Sequence, residues 1–214
     1  YEHAAQVLER IGGHRVPRTT LWEHSQQVGE HWAAQAEAHY VSVERTRWET
    51  HHYQAQMRRS VSMDGGMVHV RQEGWKELKV GCVFAIRQQP TRDKHTGEIV
   101  DLAHAVSNTY VAHLGGPQVF GDQVWAEARQ RRWMQARETI VLGDGAAWIW
   151  NLAADKFFTS RQVVDWYHAK QHLSEAAHLL KGEGSPAFSR WLNSRSTLLY
   201  QGQAARIAFL KSSE

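Results

Sequence analysis

The stretch VSMDGGMVHV at residues 61–70 and the stretch TIVLGDGA at residues 139–146 decide the expected fold of this chain. In each stretch an aspartate lies at or beside a run of β-branched and apolar residues and is followed by glycine. This pattern is typical of a carboxylate presented at the end of a strand, with no bulky neighbour in front of it. Asp-Gly is also a common hairpin signal, so each stretch taken alone favours a turn.

The aspartates of the two stretches are Asp64 and Asp144, which form a candidate metal-binding pair. A hard divalent cation takes oxygen ligands from one or two carboxylates, together with water and phosphate oxygens. Two aspartates that meet at such a cation are the usual protein part of a phosphoryl-transfer centre. Asp64 and Asp144 are therefore candidate ligands of Mg²⁺ or Mn²⁺.

The rest of the chain predicts a group of strands followed by alternating helices and strands. The predicted strands are 61–63, 67–70, 78–86, 99–106, 139–142 and 161–164. The predicted helices that follow the first strands are 117–137, 146–157, 166–180 and one from about residue 187 onward. This order is that of an α/β protein with a ribonuclease H-like mixed sheet flanked by helices. In that fold the first and fourth strands are neighbours, so Asp64 and Asp144 would converge.

The first 59 residues predict a helical segment of their own. A helix over residues 2–12 ends at two glycines, and a capping box at residues 20–23 opens a second helix. Two helices joined by such a turn resemble a helix-turn-helix, whose second helix enters the major groove of DNA. Plain packing of two amphipathic helices is the alternative. The candidate DNA contacts of this segment are Arg18, Thr19 and Trp22.

Composition limits the class of protein. The single cysteine, Cys82, excludes an intramolecular disulfide and is predicted to be a small buried hydrophobe in a reducing compartment. No apolar run approaches the 18 to 20 residues of a membrane span, and the start at Tyr1 shows neither a signal peptide nor an initiator methionine. We therefore expect a cytoplasmic protein without membrane contact, and a piece of a longer one.

The formal net charge of +3 is unevenly distributed, with the basic excess in residues 121–214. Its densest part lies between residues 129 and 137. A basic patch of this kind is typical of contact with nucleic acid phosphates, although a solvated helix face explains it equally well. The candidate DNA-binding residues of this patch are Arg129, Arg131, Arg132 and Arg137.

Four longer motifs carry a resemblance to a known family. They are SMDGG at 62–66, GWKE at 74–77, VLGDGAAWIWN at 141–151 and VDWYHAKQHL at 164–173. In these motifs the chain resembles DDE transposases of bacterial insertion sequences, closest to the Kra group, whose catalytic domain is ribonuclease H-like. The resemblance spans most of residues 60–180 and is loose for residues 1–59. It implies metal-dependent DNA cleavage and strand transfer, with Asp64 and Asp144 as the first two acidic ligands of Mg²⁺ or Mn²⁺.

The resemblance also implies roles for two residues near the last strand. Asp165 and His168 match a family signature of Asp, two residues and His. Asp165 would join the metal shell, and His168 would contact phosphate or orient the acid. A helix-capping aspartate with a packed histidine is the alternative. A weaker alternative is zinc binding by His168 with His172, because the sequence has no third soft ligand near them.

The third acid of the family is a glutamate in a Gly-Ser-Gly-like context after a helical insertion, and this sequence contains no such motif. The nearest acids, Glu175 and Glu183, do not match it. We therefore expect an N-terminal helical segment (1–59), a catalytic core (60–180) and the start of the insertion (181–214), truncated before the third acid. An inactive DNA-binding remnant and a structure-directed nuclease of the same fold are the alternatives. The resemblance further implies the bacterial cytoplasm with nucleoid association, element ends and target DNA as partners, and a homodimer on DNA.

Overall fold

The computed structural model describes residues 1–45, 54–92, 97–182 and 184–209, with side chains omitted at 39–45, 54–56 and 208–209. The chain divides into two compact units, Tyr1–His51 and His52–Glu214. The first unit is helical, and the second contains a sheet with flanking helices.

The elements run in the following order along the chain. They are α1 (Glu2–Gly12), α2 (Arg18–Arg45), β1 (Gln54–Val70), β2 (Gly74–Arg92), β3 (Ile99–Leu114), α3 (Pro117–Gln130), a 3₁₀ turn (Trp133–Gln135), β4 (Ala136–Gly143), α4 (Ala147–Lys156), β5 (Arg161–Val164), α5 (Trp166–Lys181), α6 (Pro186–Tyr200) and α7 (Ala205–Phe209). None of the described helices is long and apolar enough to cross a membrane.

The first unit confirms the two predicted helices but moves the start of the second. Gly13 adopts a left-handed conformation (φ 67°) and its N–H donates to the carbonyl of Glu9, which ends α1 as the two-glycine signal predicted. Helix α2 begins at Arg18, and Leu21 donates its N–H to the carbonyl of Pro17 at 3.1 Å. The predicted capping box at Thr20 is therefore wrong, because Thr20 already lies inside the helix.

The second unit is α/β, with a five-stranded mixed sheet of order β3-β2-β1-β4-β5 flanked by helices. Strands β1, β2 and β3 form an antiparallel meander, whereas β1 pairs with β4, and β4 with β5, in parallel. The predicted adjacency of the first strand and the strand around residue 140 is confirmed. The sheet begins at Gln54, so the predicted start of the core at residue 60 falls within β1.

Two predicted boundaries are corrected by the pairing of the strands. The separate strands predicted at 61–63 and 67–70 are one strand, because Gly65 and Gly66 pair with Lys79 and Leu78 in an unbroken ladder. The hairpin turn lies at residues 71–73, so Asp64-Gly65 is not a turn. The helix predicted over 117–137 ends at Gln130, since Arg132 takes a left-handed conformation (φ 61°) before β4 begins.

Helices α3 and α4 pack against one face of the sheet, and the hydrophobic core lies between them and the strands. A Cβ added at Gly81 of β2 would lie 2.8 Å from Val124 of α3, and one added at Gly143 of β4 would lie 2.8 Å from Ile149 of α4. These glycines therefore let the helices lie close against the strands. The buried apolar side chains of this layer include Val61, Met63, Val83, Val111, Phe120, Val124, Val141 and Ile149. Each contributes about 1.5 to 3 kcal/mol by leaving water.

Candidate functional site

The parallel pairing of β1 and β4 places Asp64 and Asp144 on the same level of the sheet. The paired residues run from Arg58↔Glu138 to Ser62↔Leu142, a constant offset of 142 − 62 = 80 positions. Continued two residues beyond this last pair, the same offset matches Asp64 with Asp144. Neighbouring strands lie about 4.8 Å apart, so the two backbones are close at this level.

The pairing of β4 with β5 adds a third aspartate to this level. The last paired residues are Gly143 and Val164, and the N–H of Asp165 then donates to the carbonyl of Gly143 at 2.8 Å. Asp144 and Asp165 are therefore the next residues of two adjacent strands. We call Asp64, Asp144 and Asp165 the aspartate row. The row lies just beyond the last parallel pairs of β1 with β4 and of β4 with β5. The carboxyl ends of parallel strands are where open α/β sheets bind their ligands.

Asp64 lies within β1 rather than at its end. It pairs with Val80 of β2 on one side, while on the other side the pairing with β4 has ended at Ser62. Its side chain is exposed, and Oδ1 accepts the N–H of Gly65 at 2.7 Å. A carboxylate has a second oxygen with its own lone pairs, so this local bond leaves Asp64 able to bind a cation.

Asp144 is the first residue after β4 and opens the turn into α4. Its Oδ1 accepts the N–H of Ala146 at 2.7 Å, and Gly145 between them adopts φ 108°, a conformation that residues with a side chain rarely take. Gly143 before it has no room for a Cβ against Ile149. Glycine is therefore required at both positions that flank Asp144, at Gly145 by the backbone conformation and at Gly143 by the lack of space for a side chain.

Asp165 is the N-cap of α5. Its Oδ1 accepts the N–H groups of Tyr167 at 2.9 Å and His168 at 3.2 Å, and it lies 3.2 Å from Nδ1 of His168. The capping interpretation raised from the sequence is thus confirmed for Oδ1. His168 contacts the aspartate row through Asp165, which agrees with an orienting position and leaves its contact with phosphate a prediction.

The other acidic and histidine candidates lie away from the row. Glu175 is exposed on α5, about 15 Å along the helix from Asp165. Hydrogen bonds from Gln171 and His172 hold the pKa of Glu175 below its ordinary value. Glu183 lies outside the described residues. Within the described part of the chain, no group of three or more His, Cys, Asp or Glu side chains is arranged to hold a metal ion. This applies to the three carboxylates of the aspartate row as well as to zinc binding by His168 with His172.

A buried lysine lies beside the row and was not expected from the sequence. Lys79 is 1% exposed and pairs across the sheet with Gly65, the residue after Asp64. Its ammonium binds a carboxylate oxygen of Glu77 and lies 4.2 Å from the ring centre of Trp148. A cation over an indole face is attracted by the ring quadrupole, and more strongly when it is desolvated.

Lys79 of β2 and Trp148 of α4 lie against each other near the two aspartates Asp64 and Asp144. Trp148 is the second residue of α4, four residues after Asp144, and a Cβ added at Gly65 would lie 3.5 Å from its ring. The ammonium of Lys79 therefore joins the strand next to Asp64 to the helix that follows Asp144. The alternation of Lys79 with Gly81 and Val83 in β2 was the only sequence signal for its inward position.

The four arginines predicted to bind DNA lie at the other end of the parallel strands. Arg129 is in the last turn of α3, 6.0 Å from the ring centre of Trp125, and Arg137 is the second residue of β4. Arg131 and Arg132 lie between these two elements. Only Arg129 belongs to α3, so a solvated helix face does not explain the patch. Their contact with DNA stays a prediction.

The N-terminal candidates share the beginning of α2. Arg18 and Thr19 are its first residues and are exposed, and Trp22 follows with 51% of its surface exposed. The guanidinium of Arg18 lies 3.7 Å from a carboxylate oxygen of Glu2, an exposed pair of small energetic weight. The three side chains remain accessible, as a DNA contact requires.

Comparison of the chain with protein-family models gave no match, and comparison with curated proteins gave no significant match.

Proposed function

We propose that this chain is the catalytic core of a DDE-type DNA transposase with a ribonuclease H-like fold, which cuts and joins phosphodiester bonds of DNA. The aspartate row is the observation that carries this proposal. Asp64 lies in β1, and Asp144 and Asp165 directly follow the neighbouring strands β4 and β5 of a sheet whose first three strands are antiparallel. The order of strands and helices is compatible with the fold that the motifs imply.

The carboxylates of the row are of the chemical type that binds Mg²⁺ or Mn²⁺, and such a cation needs only one or two of them when water and phosphate oxygens complete its ligands. Carboxylate oxygens are the ligands that hard divalent cations prefer, and Asp64, Asp144 and Asp165 each use Oδ1 in local hydrogen bonds. Asp64 and Asp144 would hold the cation, with Asp165 beside them. A bound divalent cation would polarise a phosphate oxygen and lower the pKa of an attacking water or hydroxyl.

The surrounding residues would keep these carboxylates in place. Asp144 is fixed by its bond to the N–H of Ala146, and Asp165 by its cap on α5. His168 would orient Asp165 through Nδ1 and present its other ring nitrogen to a phosphate. The exposure of Asp64 leaves the row accessible to a DNA strand.

Binding of Mn²⁺ to the purified chain tests the proposal. Titration followed by electron paramagnetic resonance should show weak saturable binding that Asp64→Asn and Asp144→Asn each reduce at least about tenfold. The matched control is Asp101→Asn, an exposed carboxylate on β3. Equal binding by all four proteins would overturn the metal site.

A second experiment asks whether the metal lies against DNA. Fe²⁺ with ascorbate and peroxide in place of Mn²⁺ should cut a bound DNA duplex locally by hydroxyl radicals, and Asp64→Asn should abolish the local cuts. This readout does not require the chain to catalyse hydrolysis. Uniform cutting that does not depend on Asp64 would count against a site that faces DNA.

An inactive DNA-binding remnant is the second candidate function. It is favoured by one observation, the position of Glu175, which is exposed, bonded to Gln171 and His172, and distant from Asp165 along α5. Retained DNA binding with no Asp64-dependent Mn²⁺ binding would favour this candidate over the transposase core.

A further inference from the structure

Three arginines lie together at the end of the sheet opposite to the aspartate row, and we call Arg59, Arg131 and Arg132 the arginine cluster. Arg59 of β1 alternates with the buried residues Val61 and Met63, so its side chain lies on the face that α3 covers. Helix α3 ends nearby, and Arg131 and Arg132 are the two residues that follow it. The cluster therefore forms where the end of α3 lies against β1.

A hydrogen bond from Arg131 fixes the cluster to the sheet. Its Nη2 donates to the carbonyl of Ser107 in β3. Arg59 pairs with Ala85, which pairs with Val106, the residue before Ser107. Arg131 thus crosses the helical face of the sheet at the level of Arg59. The five residues from Arg59 to Asp64 place this level about 16 Å from the aspartate row.

No carboxylate neutralises these guanidinium groups within the described residues. Arg58, the neighbour of Arg59 on the opposite face, has an ion pair with Glu138 at 3.0 Å, whereas none of the three clustered arginines has an acidic partner in the described chain. The carbonyl end of α3 supplies only about half a negative charge against three positive ones. Burial lowers the pKa of Arg59, and the charges of Arg131 and Arg132 lower it further.

Part of the cluster is desolvated. The Nε atoms of Arg59 and Arg131 are both buried and have no hydrogen-bond partner. Each guanidinium is therefore screened by water mainly through its terminal nitrogens. Charges in such a partly buried setting attract an opposite charge several times more strongly than they do in bulk water.

We propose that the arginine cluster is a binding site for one phosphate group, held by the terminal guanidinium nitrogens of Arg59, Arg131 and Arg132. Planar guanidinium groups bind the oxygens of phosphate in pairs, and the negative charge of one phosphate offsets part of the three positive charges. The bound anion offsets the repulsion among the three cations. This site is separate from the aspartate row and does not depend on its function.

Titration of the chain with inorganic phosphate at low ionic strength, followed by calorimetry and by thermal unfolding, tests the site. We expect saturable phosphate binding and a rise in Tm. Arg59→Gln should lower the affinity for phosphate at least tenfold and should make the rise in Tm smaller. Arg58→Gln is the matched control, because it removes the same charge from the adjacent residue on the other face. Asp64→Asn should bind phosphate as the parent chain does, which separates this site from the proposed function.

Equal phosphate affinity in Arg59→Gln and Arg58→Gln, or no saturable binding by the parent chain, would overturn the proposal. If Arg59→Gln does not fold, Arg132→Gln replaces it, since Arg132 is exposed and lies outside the regular elements. DNA binding then identifies the source of the phosphate. A salt slope that Arg59→Gln lowers by about 0.9 indicates a DNA phosphate, and an unchanged slope indicates a free phosphate ligand.

Discussion

The two ends of the parallel strands carry opposite charges and are built differently. At the carboxyl ends, the three aspartates of the aspartate row each use one oxygen to accept a backbone N–H nearby. At the amino ends, arginines follow the end of α3 and the start of β4, and the arginine cluster has no acidic partner among the described residues. The first end is suited to a cation, and the second to an anion.

Under the proposed function, one sheet would bind a polyanion at one end and a divalent cation at the other. The ends are about 16 Å apart, which exceeds the Debye length of about 8 Å at physiological ionic strength. The solvent-exposed guanidinium nitrogens therefore do little to repel a cation from the aspartates. Under the proposed function, we expect them to bind phosphates of the same substrate at another point along its backbone.

The largest expected effect concerns the acidic end. We predict that residues 1–214 bind Mg²⁺ or Mn²⁺ weakly and do not cleave DNA, because a two-metal centre brings about four positive charges and the aspartate row offsets at most three. A protein that joins these residues to the glutamate of the DDE family should cleave faster by orders of magnitude. The measurement is cleavage of the element's terminal DNA in Mn²⁺.

The control for this assay is Asp64→Asn in both proteins, which should remove any metal-dependent cleavage. Robust Asp64-dependent cleavage by the 214 residues alone would mean that the third acid has been misplaced. Glu175→Gln and Glu183→Gln would then identify which of the remaining acids completes the site.

The next effect concerns the basic end. Replacing Arg129, Arg131, Arg132 and Arg137 by alanine should weaken DNA binding and lower the slope of log affinity against log salt by about 0.9 for each phosphate that is no longer bound. Fluorescence anisotropy at several salt concentrations measures both quantities. The charge-matched control replaces four exposed arginines elsewhere: Arg87, Arg92, Arg190 and Arg206. If both variants lose affinity equally, only net charge matters and the basic end is not a specific surface.

A third comparison is between two glycines near the acidic end. Gly143→Ala should lower the free energy of unfolding by about 1 to 3 kcal/mol, because its Cβ would lie 2.8 Å from Cγ2 of Ile149. Gly66→Ala is the control, since nothing lies within 4 Å of its Cβ. Urea unfolding should separate the two variants. Equal stability would show that α4 can move away from β4 without cost.

The smallest effect concerns the buried cation of the acidic end. Glu77→Gln removes the carboxylate partner of Lys79 and should cost about 1 to 2 kcal/mol, a value reduced by the 48% exposure of the Glu77 side chain. Lys79→Met removes the charge but keeps the volume against Trp148, and should be nearly neutral. Thermal unfolding of both variants checks this asymmetry. A larger loss in Lys79→Met would show that the ammonium itself stabilises the fold.

Much of the second half of the fold was predictable because its signals are local. Strand β5 has the predicted bounds, Arg161–Val164, and α5 starts at the predicted Trp166 because Asp165 caps it. The boundaries that were missed depend on distant partners. The Asp-Gly-Gly sequence in β1 has the local signal of a turn, but pairing with residues 78–80 of β2 overrides it. The end of α3 carries no glycine signal, because Arg132 itself adopts the left-handed conformation.

The candidate site was predictable in part for the same reason. The two Asp-Gly contexts and the strand order indicated Asp64 and Asp144, and the family motif indicated Asp165. Lys79 was not foreseen, because its burial depends on Trp148 of a helix almost 70 residues later. Cys82, predicted to be buried, is only partly so, although burial still raises the pKa of its thiol.

The first unit differs from the sheet in the burial of its side chains. Between residues 1 and 38 no side chain is buried, and Leu8, Ile11, Trp22 and Trp32 leave much of their apolar surface in water. Helices without a buried face are marginally stable in water and open often. Their amide protons should therefore exchange with deuterium far faster than those of β1 or β4. Slowed exchange in α1 and α2 on addition of DNA or at high protein concentration would then locate where a partner binds.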